Sequence, residues 1–220
     1  MTKRPDFAPG TAWNYSNTNY ALAGMILERV TGRSWQQAVQ DQVIRPLGLR
    51  DTFTPSTYPY VPGPHAIGYE RFPGPNPTPD DPKYGEPIDV TELSATWGDA
   101  AGEMISTTAD GNTFLRALLS GKLLKPAQLA EMKKTVAAKP FEALWPDARY
   151  GLGLMSYSSQ CGPIWSHGGD IMGYKTRNGV SPDGRRSVVV SLNTDSLAPP
   201  PRRRPQPQAD RRRPLRLGVL

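Results

Sequence analysis

Cysteine and histidine are both nearly absent from this chain of 220 residues. Cys161 stands alone, so no internal disulfide can form. It is expected to be a small buried or half-buried side chain, with nothing around it to activate a thiolate. The two histidines, His65 and His167, show no His-x-x-x-His spacing and leave no zinc set, and no other cofactor is expected. There is no Gly-x-x-x-x-Gly-Lys loop to cradle a phosphate. No run of roughly 18 apolar residues occurs, so no membrane span is expected. Met1-Thr2-Lys3-Arg4-Pro5-Asp6 is followed by no apolar stretch, so no signal peptide is expected.

Proline and glycine are plentiful, at 24 and 21 residues, so much of the backbone is expected in loops. The net charge of +6 sits wholly in the last 24 residues, which hold seven Arg and the single acid Asp210. Residues 1–196 are therefore neutral, and a nucleic-acid partner is not expected. The Pro/Arg-rich segment 197–220 is predicted to be disordered.

The spacing of Leu22, Met25, Ile26 and Val30 predicts a helix with these residues on its apolar face, capped by Asn17 or Asn19 and ended by Gly32. Ser34 and Gln37 form a capping-box pattern. The next helix should carry Trp35, Ala38, Val39 and Val43 on one face and stop at Pro46 and Gly48. Residues 54–96 read as a long surface excursion whose aromatics, Tyr58, Tyr60, Tyr69, Phe72 and Tyr84, should pack on something. Thr107 and Asp110 suit a second capping box ahead of Phe114, Leu115, Leu118 and Leu119. Pro126 suits a first helical position, with Leu129 and Met132 inward. Strands are expected at 150–157, 164–167, 173–180 and 187–192, with Ser181-Pro182-Asp183-Gly184 as a hairpin turn. Helices followed by an antiparallel meander argue for a mixed α/β or α+β fold, with a helical and loop part over about 1–148 and a sheet part over about 149–196.

Three short segments can carry chemistry. Tyr15-Ser16-Asn17 lies at the mouth of a helix, but a phenol titrates near 10 and serves as a base only beside a cation. Ser166-His167-Gly168-Gly169-Asp170 follows a strand: the imidazole can move a proton, the glycines admit a substrate to the strand edge, and a backbone N–H can face an oxyanion. Trp97-Gly98-Asp99 can wall a cleft. Each has a plain alternative: capping plus a core Tyr, a surface turn, ordinary core.

Together these pieces resemble the serine D-Ala-D-Ala carboxypeptidase and class C β-lactamase family, the penicillin-recognising serine hydrolases. The likeness runs over residues 5–195 through Phe7-Ala8-Pro9-Gly10-Thr11, Tyr15-Ser16-Asn17-Thr18-Asn19-Tyr20 and Pro46-Leu47-Gly48-Leu49. It continues through Ser106-Thr107-Thr108-Ala109-Asp110, Leu119-Ser120-Gly121-Lys122-Leu123-Leu124, Tyr150-Gly151-Leu152-Gly153-Leu154, His167-Gly168-Gly169 and Asn193-Thr194. The family's motifs are Ser-x-x-Lys, Tyr-x-Asn and Lys/His-x-Gly. The resemblance implies a β-lactamase/transpeptidase-like fold and acyl-enzyme chemistry on a D-Ala-D-Ala peptide or a β-lactam, in a secreted protein. It makes Tyr15 the proton-transfer partner and Asn17 the binder of the substrate amide. His167 becomes the third-motif base, Gly168 and Gly169 the strand wall, the Asp170 N–H an oxyanion donor and Trp97 a wall of the acyl subsite.

The chain departs from this pattern in three ways. It contains no Ser-x-x-Lys, whose Ser is the family's nucleophile and whose Lys supplies the cation for the tyrosine. The resemblance places that motif upstream, on a helix buried between the two subdomains, and it places a closing helix where the Pro/Arg tail stands. The domain is thus expected to be incomplete at both ends, with Cys161 the partner of a cysteine in that helix. Gly168 stands where carboxypeptidases carry Thr, whose hydroxyl helps hold a substrate carboxylate. Three readings stay open: a DD-peptidase-type hydrolase, an esterase or β-lactamase on the same fold, and a non-catalytic remnant.

Overall fold

The computed structural model describes residues 4–55, 57–75, 78 and 84–195; the segment 197–220 lies outside them. Helix α1 (Asn17–Thr31) is capped by Ser16 rather than by Asn17 or Asn19, and Gly32 closes it in the left-handed region at φ 68°. Its predicted apolar face is not core. Met25, Ile26 and Val30 are 61, 63 and 78% exposed. The residue α1 buries is Gly24, where an added Cβ would stand 2.7 Å from the Ala100 side chain. Helical spacing finds an apolar stripe, but only the fold decides what covers it.

Ser34 opens α2 (Trp35–Val39) with the predicted reciprocal bonds: the Gln37 N–H donates to Ser34 Oγ and the Ser34 N–H to Gln37 Oε1. Trp35 and Ala38 are buried. The helix does not stop at Pro46. It widens into a π turn at Gln40–Ile44 and continues as α3 (Arg45–Leu47), ending at Gly48 with φ 64°. The π turn lies directly ahead of the proline, which has no N–H to give.

The excursion at 54–96 carries one small ladder, β1 (Tyr69–Glu70) with β2 (Ile88–Asp89). Four of its five aromatics do not anchor it as expected: Tyr58, Tyr60, Tyr69 and Phe72 are exposed, with Tyr58 and Tyr60 edge to face at 5.1 Å, while Tyr84 is half-buried. Polar bonds from the sheet hold it instead. Tyr174 Oη donates to the Ala66 carbonyl (2.7 Å), Asn193 Nδ2 to the Ile67 carbonyl (2.9 Å), and the Gly173 N–H to the Glu70 carboxylate (3.1 Å).

Helix α4 (Thr108–Leu119) starts with the Asp110 N–H donating to Thr107 Oγ1. The second half of the expected box is replaced, because the Asp110 carboxylate accepts from the Asp51 N–H (2.9 Å) and Thr52 Oγ1 (2.8 Å). Pro126 takes the first position of α5 (Pro126–Met132), as predicted. Leu115, Leu118 and Leu119 of α4 meet Leu154, Trp165 and Val180 of the sheet in the main core, with Leu129 and Met132 against it.

The seven-stranded sheet is antiparallel throughout: β3 (Val136–Ala137), β4 (Arg149–Tyr150), β5 (Met155–Ser159), β6 (Gly162–Ser166), β7 (Gly169–Ile171), β8 (Tyr174–Val180) and β9 (Ser187–Leu192). β3 recruits residues from before position 149, so the sheet part begins earlier than the sequence pattern implied. The strand expected at 150–157 is two strands, parted by a turn in which Gly153 adopts φ 80°. The Ser181–Gly184 hairpin is present, with Gly184 at φ 70° and Val180 opposite Ser187. Cys161 is exposed in the β5–β6 turn, not buried as expected. Along β9, Val189 packs against the core while Val188, Val190 and Leu192 face outward and exposed.

This distribution predicts a sharp contrast. Leu154→Ala, at 2% exposure, should cost about 2–5 kcal/mol in denaturant unfolding. Val30→Ser on α1 should cost less than about 0.5 kcal/mol. Equal costs would contradict the exposed placement of that face.

Candidate active site

The Tyr15-Ser16-Asn17 turn and the His167-Gly168-Gly169 segment are 150 residues apart in sequence and adjacent in space. The Tyr15 and His167 rings lie 5.8 Å apart, centroid to centroid. Because Ser16 holds the N-cap position, Asn17 is free of capping, and its exposed carboxamide accepts the Tyr15 phenol at 2.9 Å. Trp13, Tyr20, Phe141 and Tyr150 complete an aromatic cluster around the two rings.

The hydrogen bonds of His167 determine its tautomer. Nδ1 lies 2.9 Å from the Gly168 carbonyl, which can only accept, so Nδ1 carries the proton. In the neutral ring Nε2 is then an acceptor, and the Tyr150 hydroxyl donates to it at 2.7 Å. The Tyr150 oxygen in turn accepts from the Tyr20 hydroxyl. A directed relay thus runs from Tyr20 on α1 through Tyr150 on β4 to the imidazole beyond β6. Burial pushes the His167 pKa below its ordinary 6.5, which keeps the ring neutral. Burial, followed by the neighbouring Tyr20, pushes the Tyr15 phenol above 10, and burial raises Tyr20 and Tyr150 as well. At neutral pH Tyr15 is therefore a proton donor. A cation beside it would be needed to make it a base.

The remaining predicted residues fall around this pair. Gly168 faces the Arg177 guanidinium: a Cβ there would stand 3.2 Å from both Arg177 Nη1 and the Thr176 carbonyl. Gly169 opens β7 with free space beside it. The Asp170 carboxylate is held by Arg177 in a two-point bond (2.7 and 3.1 Å), with Lys175 at 3.9 Å. Trp97 is 56% exposed on a 3-10 turn (Ala95–Ala101) against α1, and among the described residues no ring contact joins it to the cluster. His65, expected only to be solvated, is exposed, with Nδ1 bonded to the Gly63 carbonyl. The described residues contain no group of three or more His, Cys, Asp or Glu placed to hold a metal.

Sequence reasoning assigned no role to Tyr20, Tyr150, Asn178 or Arg177. Tyr20 and Tyr150 stood within the quoted motifs, but nothing local pairs two phenols across 130 positions.

A cavity of about 1040 Å³ opens beside this cluster, with Phe53, Leu93, Met104, Phe114 and Met172 among its walls and His167 at its edge. Tyr15, Asn17 and Trp97 do not line it.

The depressed His167 pKa has a thermodynamic sign. Below about 6.5 the unfolded chain takes up a proton that the folded ring resists, so stability falls as pH drops from that value through the folded pKa. The His167 ring protons, followed by NMR, should titrate with a midpoint below 6.5. A midpoint at or above it would contradict the neutral, buried ring.

Comparison with known proteins places this geometry. The family model described as Beta-lactamase matches residues 1–212. A D-stereospecific amidohydrolase from Streptomyces sp. superposes with a TM-score of 0.79 at 42% identity, covering 89% of this chain and 54% of that one. A D-amino acid amidase from Ochrobactrum anthropi SV3, complexed with L-phenylalanine amide, superposes with a TM-score of 0.66 at 27% identity, covering 84% and 51%. A D-aminopeptidase from Cereibacter sphaeroides is 26% identical over 204 residues, covering 89% of this chain and 35% of the relative. The chain thus spans about half the length of these solved structures and about a third of that curated relative. With a family match over nearly its whole length, and the Tyr-x-Asn and His-x-Gly segments meeting in one cluster, the chain belongs to the Beta-lactamase family, the β-lactamase/transpeptidase-like serine hydrolases.

Proposed function

We propose that this chain forms two walls of an acyl-transfer cleft that cleaves an amide beside a D-configured residue, through an acyl-enzyme on a serine supplied from outside these 220 residues. The observation that carries the reading is the 5.8 Å approach of Tyr15 and His167. In this account the serine oxygen attacks the substrate carbonyl and its proton passes to Tyr15. Tyr15 then gives the proton to the leaving amine, and water releases the acyl group by the reverse transfers. Asn17 holds the substrate amide, Gly168 and Gly169 line the strand side, and the Asp170 N–H faces the oxyanion.

The raised Tyr15 pKa supports the need for an added cation, the role the resemblance gives to the lysine of Ser-x-x-Lys. The cavity supports a seat for the helix that would bear it. Its walls include the apolar side chains Phe53, Leu93, Met104 and Phe114, and its volume is about 1040 Å³.

Gly168 and Arg177 favour an amino-acid amide or short D-peptide over a carboxypeptidase substrate. Position 168 has no hydroxyl, and the guanidinium that fills the space beside it is already paired with Asp170. The names of the relatives, D-amidohydrolase, D-amino acid amidase and D-aminopeptidase, agree with that preference.

The test uses the chain alone and joined to an upstream family segment carrying Ser-x-x-Lys. Alone, it should form no acyl-enzyme with a fluorescent penicillin. Joined, it should hydrolyse D-phenylalanine amide faster than it releases D-Ala from a D-Ala-D-Ala peptide, and Tyr15→Phe should lower that rate by about 10²–10⁴-fold. Stoichiometric labelling of the chain alone, or full activity in the Tyr15→Phe hybrid, would overturn the reading.

A further inference from the structure

The antiparallel ladder is broken beside His167. β6 meets β8 at Trp165↔Val180, and β7 meets it from Gly169↔Thr176 onward. Both pairings keep one register, so Ser166, His167 and Gly168 stand opposite Gly179, Asn178 and Arg177 in that order, without ladder pairing between them. In an antiparallel sheet, directly opposed residues can exchange two backbone bonds, N–H to carbonyl in each direction. Here the Asn178 side chain makes both. Its Nδ2 donates to the His167 carbonyl at 2.6 Å, and its Oδ1 accepts the His167 N–H at 3.1 Å. The Asn178 backbone carbonyl, left without a strand partner on that side, accepts Ser166 Oγ at 2.8 Å.

We infer that Asn178 is a positioning residue for His167: its carboxamide stands in for a peptide group, holding the two strands apart by a side chain's length while fixing the histidine backbone. A carboxamide is suited to this because it carries the donor and the acceptor of a peptide in one plane. The consequence passes to the ring. With the His167 backbone clamped, the Gly168 carbonyl stays where it takes the Nδ1 proton, and Nε2 stays turned to Tyr150. Val189 pairs with Asn178 on the other side of β8, so the clamp is carried by a central strand and not by a loop. The groups facing the ring are the phenols Tyr15 and Tyr20 from the α1 side and Tyr150 from β4, all uncharged at neutral pH. The charged pair on β7 and β8, Asp170 with Arg177, is joined to itself.

The catalytic meaning of this clamp rests on the function proposed above, but its test needs no substrate. A hybrid that never hydrolyses amides would sink that function and leave the clamp standing. The tautomer of His167 is read from ring ¹⁵N shifts in the full chain. Wild type should show the Nδ1–H form. Asn178→Ala should convert it to a mixture of both tautomers. Ser166→Ala removes the donor to the Asn178 backbone carbonyl (2.8 Å) and a longer contact to Oδ1 (3.3 Å), but leaves both carboxamide bonds to the His167 backbone, so it should lower stability and keep the Nδ1–H form. Retention of a pure Nδ1–H ring in Asn178→Ala, or an equal mixture in Ser166→Ala, would overturn the inference. Should Asn178→Ala not fold, hydrogen exchange in the wild-type chain decides. The His167 amide should be protected to the level of the Val180 amide in the neighbouring ladder, and exchange at the rate of an unbonded loop amide would refute the clamp.

Discussion

The relay from Tyr20 through Tyr150 to His167 is the interaction on which the site depends. Among the described residues it joins α1 to the sheet within the aromatic cluster. Each member has its orientation set by the next. The Gly168 carbonyl fixes the proton on Nδ1, the bare Nε2 takes a donor, and Tyr150, having given its one proton there, can only accept from Tyr20. All three groups are neutral, and burial keeps them so. The partial burial that strengthens such a chain also makes a broken link costly, since a stranded polar group there is poorly hydrated. Tyr15 and Asn17 sit on the same helix mouth as Tyr20, so the relay also sets how close the Tyr-x-Asn turn comes to the imidazole.

The exposed apolar surfaces belong to the same account. Met25, Ile26 and Val30 on α1, and Val188, Val190 and Leu192 on β9, have the spacing of core faces and no cover among the described residues. Solved relatives about twice as long as the spanned region share this architecture. The Tyr15 phenol, raised by burial and then by Tyr20, lies 5.8 Å from the His167 ring, centroid to centroid.

Much of the local structure was legible in the residues, because caps and turns are short-range chemistry. Ser34 with Gln37, Pro126 at the head of α5, Gly32 past the end of α1 and the Ser181–Gly184 hairpin all stand as their patterns imply. Asp110 shows where such logic stops: its carboxylate found better donors in Asp51 and Thr52 than in its own helix end. Pro46 did not break its helix, because a π turn preceded it. The apolar stripe of α1 was visible, but its exposure depends on which segments lie over it. The meeting of Tyr15 with His167 was expected from ordered motifs. Tyr20, Tyr150 and Asn178 were not, because their roles arise from long-range pairing and from a gap in a ladder that no periodicity marks.

The central claim is that the second-motif phenol and the third-motif imidazole share one cluster in solution. Cross-relaxation between the ring protons of Tyr15 and His167, measured on the full chain with selectively labelled aromatics, tests it most directly. The account predicts a cross-peak between them, alongside one between Tyr150 and His167. A spectrum that shows the Tyr150 contact but none from Tyr15 would contradict it.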